Sequence, residues 1–355
     1  VGFSIKKHPL LSSSLIKKSF WIGLLSMVLW ACTKDPIQEP AQPIGPVLPS
    51  HFPPPHYTFT NNPISEAGIE LGRRLFYDPI LSLDSTISCG SCHAQVHAFA
   101  DHNTPLSTGI NGRLGFRNTP GLANLIWYPA FNWDGGVNHI EIFSVAPITD
   151  ENEMGLALRE AVDRLRRHDR YPQLFMEAFG VSKIETREML YALTQFMGIM
   201  VSYQSKYDDF LNGKPVFSEK ELLGYDLFQQ NCATCHQGPL LTDFSYRNNG
   251  LSPQTQDEGR YGITKEPEDM RRFRVPSLRN VALTHPYLHN GSLLNLYQVV
   301  NAYSNGVTAD ENLDPVIPIP GFQFNEEEKE ALVAFLRTLS DWKFISNHNL
   351  AEPRL

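Results

Sequence analysis

A mainly α-helical chain in two similar domains is predicted by three observations. The run Cys89-Gly90-Ser91-Cys92-His93 returns as Cys232-Ala233-Thr234-Cys235-His236. Apolar residues recur at helical spacing along most of the chain between and around these runs. A capped helix leads straight into the second run, and another closes that domain, an order shared by small c-type cytochrome domains. In each run the two thiols can bond a haem covalently while the adjacent imidazole ligates its iron. Zinc knuckles would need four ligands per site, and the chain has no thiols to spare. The fold class is therefore mainly α, two c-type cytochrome domains, each with one covalently bound haem.

The 355 residues suffice for two or three domains, and 42% hydrophobic with 19% charged residues is ordinary globular composition. A net charge of -8 argues against nucleic acid as a partner and suits a basic one, such as a small cytochrome.

In chain order, Lys6, Lys7, Lys17 and Lys18 precede the apolar run from Phe20 to Ala31, the pattern of an export signal over 1–31. That run is too short to span a bilayer. It ends in Leu29-Trp30-Ala31-Cys32, similar to a bacterial lipobox, which makes Cys32 the lipidated first residue of a periplasmic, membrane-anchored protein; a conventional signal with an incidental Cys is the alternative. Four of the five cysteines belong to the two runs, so no disulfide is expected. Residues 32–60 are crowded with prolines and read as an extended tether. The first domain is set at 61–210, the second at 211–345, and a tail at 346–355. Helices are expected at Ser65–Tyr77, Leu156–His168 and Glu185–Ser202, the last with Met189, Met197 and Met200 in the core rather than on iron. Ser218 with Glu221, and Asn325 with Glu328, are capping boxes for two more.

Several further motifs follow in order: Gly112-Arg113-Leu114-Gly115-Phe116-Arg117-Asn118-Thr119-Pro120, Trp133-Asp134-Gly135, Pro147-Ile148, Glu153-Met154, Phe273-Arg274-Val275-Pro276-Ser277-Leu278-Arg279-Asn280, and Pro286-Tyr287-Leu288-His289-Asn290-Gly291. With both Cys-x-x-Cys-His runs, they make residues 61 to 345 resemble the bacterial di-haem cytochrome c peroxidases, a family that includes the methylamine-utilisation enzyme MauG. The resemblance implies two haem domains packed around an inter-haem interface. The N-terminal haem, on Cys89, Cys92 and His93, would meet hydrogen peroxide. The C-terminal haem, on Cys232, Cys235 and His236, would accept electrons from a small cytochrome or cupredoxin. It further implies that Glu153 is the general acid-base, that Trp133 relays electrons between haems, and that Asn118, Thr284 and Pro286 bind calcium, the last two through backbone oxygens. Read without the resemblance, Glu153 favours the N-terminus of a following helix and Trp133 is a core residue. Arg274 and Arg279 either pair with haem propionates or form ion pairs. Family members are often dimers.

The departures from the family pattern carry their own expectations. Ile110 stands where many members place a removable distal histidine, which implies an open N-terminal haem; His97 and His102 are nearby substitutes. Tyr303 stands where better-known members place a methionine ligand on the second haem, and it either ligates iron, as in MauG, or packs in the core. Met270 is the only methionine after the second run, and it precedes the expected loop. Phe143 replaces a pocket glutamine and Gly136 a frequent arginine, so the pocket is expected to be drier. The functional expectation is a di-haem peroxidase; a MauG-like peroxide-dependent oxidase of a protein or organic substrate is the alternative, and a non-catalytic di-haem electron-transfer cytochrome is the second.

Overall fold

The computed structural model describes residues 1–4, 45–101, 104–251 and 256–353. The export signal, the lipidation position Cys32, the first part of the tether and His102 lie outside the described residues. The chain divides into two units, Val1–Pro43 and Ile44–Leu355. Of the first, only residues 1–4 are described, as exposed chain without secondary structure.

The second unit holds two helical cores that repeat one device. In the first, α1 (Glu66–Tyr77) starts at Ser65, whose hydroxyl accepts from the Gly68 N–H, and buries Leu71, Leu75 and Phe76 on one face. A turn at α2 (Cys89–Cys92) and short α3 (Val145–Thr149), α4 (Leu158–Arg167) and α5 (Tyr171–Phe179) follow. They lead to α6 (Thr186–Gly198), which is buried nearly all round. Helices α1 and α6 cross at Gly72, where a Cβ would overlap the carbonyl oxygen of Ala192. Phe76 and Phe196, each one turn beyond the crossing residue on its helix, meet there with ring centroids 5.3 Å apart.

The second core repeats this. After α7 (Lys206–Leu211), α8 (Glu219–Asn231) begins with the Ser218–Glu221 capping box and ends on Cys232, so the helix delivers the second Cys-x-x-Cys-His run. The loop beyond it contains the strands β1 (Tyr246–Arg247) and β2 (Phe273–Arg274), paired antiparallel, and the turn α9 (Tyr261–Thr264). Then come α10 (Leu296–Asn305) and α11 (Glu326–Arg337), the latter capped by Asn325 and Glu328. Helix α8 crosses α11 at Gly224, where a Cβ would overlap the carbonyl oxygen of Ala331. Phe228 and Phe335 meet beside it, centroids 4.9 Å apart.

Two segments depart from the expected boundaries. Phe52 and Phe59, within the expected tether, are buried in the first core, and the Tyr57 N–H donates to Ile126 O at 2.9 Å. Prolines do not prevent this, because the buried contacts come from the aromatic side chains between them. At the other end, α12 (Trp342–Ile345) and the tail return to the first core rather than the second. Phe344 and Leu350 are buried there, and the Tyr77 hydroxyl donates to Leu350 O at 2.7 Å. Met189, Met197 and Met200 pack in the first core, as their stripe indicates. Among the described residues, no helix is long and apolar enough to cross a membrane.

Candidate functional site

Each Cys-x-x-Cys-His run presents its imidazole in the same way. His93 Nδ1 lies 2.6 Å from Phe99 O, and His236 Nδ1 lies 3.1 Å from Leu241 O. Both acceptors stand on residues with positive φ, 61° at Phe99 and 54° at Leu241, where the chain doubles back to bring the carbonyl to the ring. Burial holds both imidazoles below their usual pKa, so each is neutral, donates its Nδ1 proton to the carbonyl and keeps the Nε2 lone pair free for a metal. Burial pushes the Cys89 and Cys232 thiols up to about 12 and Cys92 to about 11, and raises Cys235 as well. Among the described residues no cluster of three or more His, Cys, Asp or Glu is arranged to hold a metal ion.

Behind each run lies a cavity. The C-terminal one, about 290 Å³, is walled by Cys232, Cys235, His236, Tyr303 and apolar residues from α10 and α11, and by Trp133 and Ala98 from the first half of the chain. The N-terminal one, about 90 Å³, is walled by Cys89, Cys92, His93, Phe76, Ser107, Gly109, Arg117, Phe143, Glu153, Met154 and Met197. Thr119 lines both, so the cavities share a wall. The C-terminal wall holds a buried polar atom with no hydrogen-bond partner, Nη1 of Arg274. The rest of that guanidinium donates through Nε to Asn132 O at 3.2 Å and stacks 4.6 Å above the Tyr128 ring. A buried cation with an unmet donor in an apolar cavity fits the carboxylate of a haem propionate. Arg279 differs: Nη1 and Nη2 donate to Asp208 at 3.0 and 2.6 Å and Nε to Pro239 O at 2.7 Å, a buried ion pair in the same wall. Burial alone would raise Asp208, but the hydrogen bonds and charge of Arg279, with Ser205, hold it down to about 2.

Glu153 faces the N-terminal cavity from a turn, its N–H donating to Asp150 O at 3.1 Å and its carbonyl accepting from Ile110 N at 2.8 Å. Helix α4 begins only at Leu158, so Glu153 is not in its first turn. Its carboxyl has no hydrogen-bond partner among the described residues, and burial, with the charge of Asp150 second, raises its pKa. Ile110 is buried against Gly155 and is absent from the cavity wall. His97 lines neither cavity and meets His285 edge-on, centroids 6.1 Å apart. His93 is thus the only histidine among the described residues of the N-terminal wall; the thioethers of Met154 and Met197 in that wall are packed in the core. Phe143 stacks on Phe131 at 4.9 Å and keeps that wall apolar. Gly136 directs its N–H to Asp134 Oδ1 at 2.8 Å. Met270 lines neither cavity.

Trp133 belongs to the first half of the chain yet lines the C-terminal cavity. Its Nε1 donates to Asn118 O at 2.8 Å, and its carbonyl accepts from Arg274 N at 2.7 Å. The next residue, Asp134, pairs with Arg117, which also donates through Nε and Nη2 to Asp257 at 2.7 and 2.8 Å. This clamp spans both halves of the chain, and its members Arg117 and Asp134 lie inside quoted motifs whose chemistry gave no hint of Asp257. Nothing local marks that pairing, since the partners are 140 residues apart. Asn118 is buried, gives its amide N–H to Pro105 O at 3.1 Å and its backbone N–H to His289 O at 2.7 Å. Thr284 and Pro286 line the C-terminal cavity, and Thr284 lies against Gly121.

Two cytochrome-like helix crossings, two imidazoles poised through carbonyls and a shared wall define a di-haem c-type protein, one of whose pockets bears a free carboxyl. The comparisons agree. The di-haem cytochrome c peroxidase model matches residues 66–216, and the cytochrome c model residues 222–340. The chain is 31% identical to cytochrome c551 peroxidase of Nitrosomonas europaea, covering 92% of each. It is 32% identical to the methylamine utilization protein MauG of Methylorubrum extorquens, covering 78% of this chain and 79% of that one. A solved MauG-like protein associated with microbial copper homeostasis superposes with a TM-score of 0.80 at 32% identity, over 86% of this chain and 98% of that one. The chain belongs to the di-haem cytochrome c peroxidase and MauG family, and its cofactors are two c-type haems.

Proposed function

We propose that this protein reduces hydrogen peroxide to two waters at the N-terminal haem, with electrons arriving one at a time from a small cytochrome or cupredoxin at the C-terminal haem. Bound haem would supply the redox chemistry, delivering two electrons in all, and two protons from solvent complete the two waters. The chain supplies the rest. Glu153 accepts a proton from one peroxide oxygen and returns it to the other, the role its unpartnered carboxyl suits. Phe143 keeps water away from that carboxyl. Trp133, hydrogen-bonded to Asn118 and lining the C-terminal cavity, relays electrons across the shared wall. Arg274 would hold a propionate, Tyr303 would bind the C-terminal haem iron through its phenolic oxygen, and Asn118, Thr284 and Pro286 would hold a calcium ion. Export, with a lipid on Cys32, would keep the protein at the periplasmic face of a membrane.

The free Glu153 carboxyl in a cavity where His93 is the only described histidine carries this reading. Steady-state turnover tests it: Glu153→Gln should lose peroxide reduction by about 10²–10⁴-fold while both haem spectra persist. Turnover at the parent rate would remove Glu153 from the mechanism. A second reading, peroxide-driven oxidation of a protein or organic substrate, is favoured by Ile110 lying off the cavity and by Tyr303 in the wall of the other one. It is separated from the first by its oxidised product and by turnover without an electron donor.

A further inference from the structure

Asn249 stands just beyond β1, in the wall of the C-terminal cavity beside Tyr303. Its Nδ2 donates to the Tyr303 phenolic oxygen at 3.0 Å. Its Oδ1 accepts from the backbone N–H of Leu251 at 3.1 Å. The second bond fixes the first, because an amide whose oxygen is held by a backbone N–H must turn its NH2 toward the phenol. Tyr303 is held independently: it lies in the last turns of α10, and its carbonyl accepts from Phe322 N at 2.9 Å. The hydroxyl proton of Tyr303 finds no acceptor among the described residues. An oxygen that accepts one hydrogen bond, has no acceptor for its own proton and faces a haem cavity suits an anionic ligand directed at a metal.

We infer that Asn249 is a positioning residue for the C-terminal haem: its amide donates to the ligating oxygen of Tyr303, orients it and moderates its electron donation to iron. This role rests on the reading of Tyr303 as an axial ligand. A hydrogen bond to a phenolate stabilises the charge on oxygen and makes it a weaker donor. Outer hydrogen bonds of this kind tune a metal through the ligand they hold. The consequence is a C-terminal haem whose potential is higher than a bare tyrosinate would set, which eases electron entry.

The test uses the purified full-length holoprotein, reading the phenolate-to-ferric-iron charge-transfer band and the midpoint potential of each haem. Asn249→Leu removes the donor: the band should move to longer wavelength and the C-terminal potential should fall, with the N-terminal haem unmoved. Asn249→Ser keeps a short, uncharged side-chain oxygen for the Leu251 N–H, and so the turn, but has no amide to reach Tyr303. It too should move the band and the potential, whereas a purely structural role predicts parent values. Tyr303→Phe is the control and should abolish the band. If Tyr303→Phe changes nothing, Tyr303 is not a ligand, and the role of Asn249 falls with that reading. If Tyr303→Phe abolishes the band while both Asn249 variants match the parent, the ligand reading stands and the role of Asn249 alone is overturned.

Discussion

A carboxyl with no hydrogen-bond partner in a mostly apolar cavity is costly to ionise, and that cost places Glu153 on the pH scale. Burial first, and the negative charge of Asp150 second, raise its pKa above the ordinary value. Only the ionised form can take a proton from peroxide. Turnover should therefore rise with pH through the Glu153 pKa, with its acidic limb above the ordinary glutamate value of about 4.3. Asp150→Asn removes the repelling charge, so it should move the limb to lower pH; a pH profile of kcat/KM reads both. The thiols and imidazoles of the two runs were legible from spacing alone, because covalent attachment and ligation demand two cysteines and a histidine at those three positions. The role proposed for Glu153 came only through motif order, and the Asn249–Tyr303 bond was not readable at all, because the two are 54 residues apart and no local pattern links an amide to a phenol.

At the scale of elements, the two domains share a crossing more than a sequence. Gly72 and Gly224 let α1 meet α6 and α8 meet α11 at backbone contact, each beside a pair of phenylalanines. Gly72→Ala and Gly224→Ala must each push a helix off a carbonyl oxygen. Each should cost about 1–3 kcal/mol, seen as a lower denaturant midpoint of the holoprotein. The helices themselves were readable from their stripes and capping boxes, since amphipathic period and N-caps are local. The crossings were not, because a helical glycine reads as a weak helix former until its neighbour is known. The Pro-rich segment misled for the opposite reason. Proline density suggests a solvated spacer, yet Phe52 and Phe59 bury in the first core. Phe59→Ala should cost about 3 kcal/mol by the same measurement, whereas a true tether would show no change.

In the whole molecule, the catalytic proposal needs two haem sites that work as one, and the clamp of Arg117 on Asp134 and Asp257 joins the halves that carry them. Arg117 sits in the N-terminal cavity wall, and Asp134 adjoins Trp133 in the other. Burial alone would lower the Arg117 pKa, but hydrogen bonds to Asp257 and Asp134 outweigh it and keep the guanidinium charged. Arg117→Leu leaves Asp257 largely buried without its cation. It should cost about 3 kcal/mol and slow electron exchange between the haems in flash or stopped-flow traces, with both haems still attached. Such long-range pairing is set by the packing of distant segments and cannot be read from spacing. An N-terminal site open to peroxide is expected, because Ile110 offers no atom that could ligate iron and His93 is the only described histidine of the cavity wall. The most direct measurement is the optical and EPR spectrum of the fully oxidised holoprotein before and after one equivalent of hydrogen peroxide, with no reductant present. An immediate change in the N-terminal haem signals is predicted. Spectra that stay fixed until one haem is reduced would contradict the account, since they would require a distal ligand that leaves only on reduction.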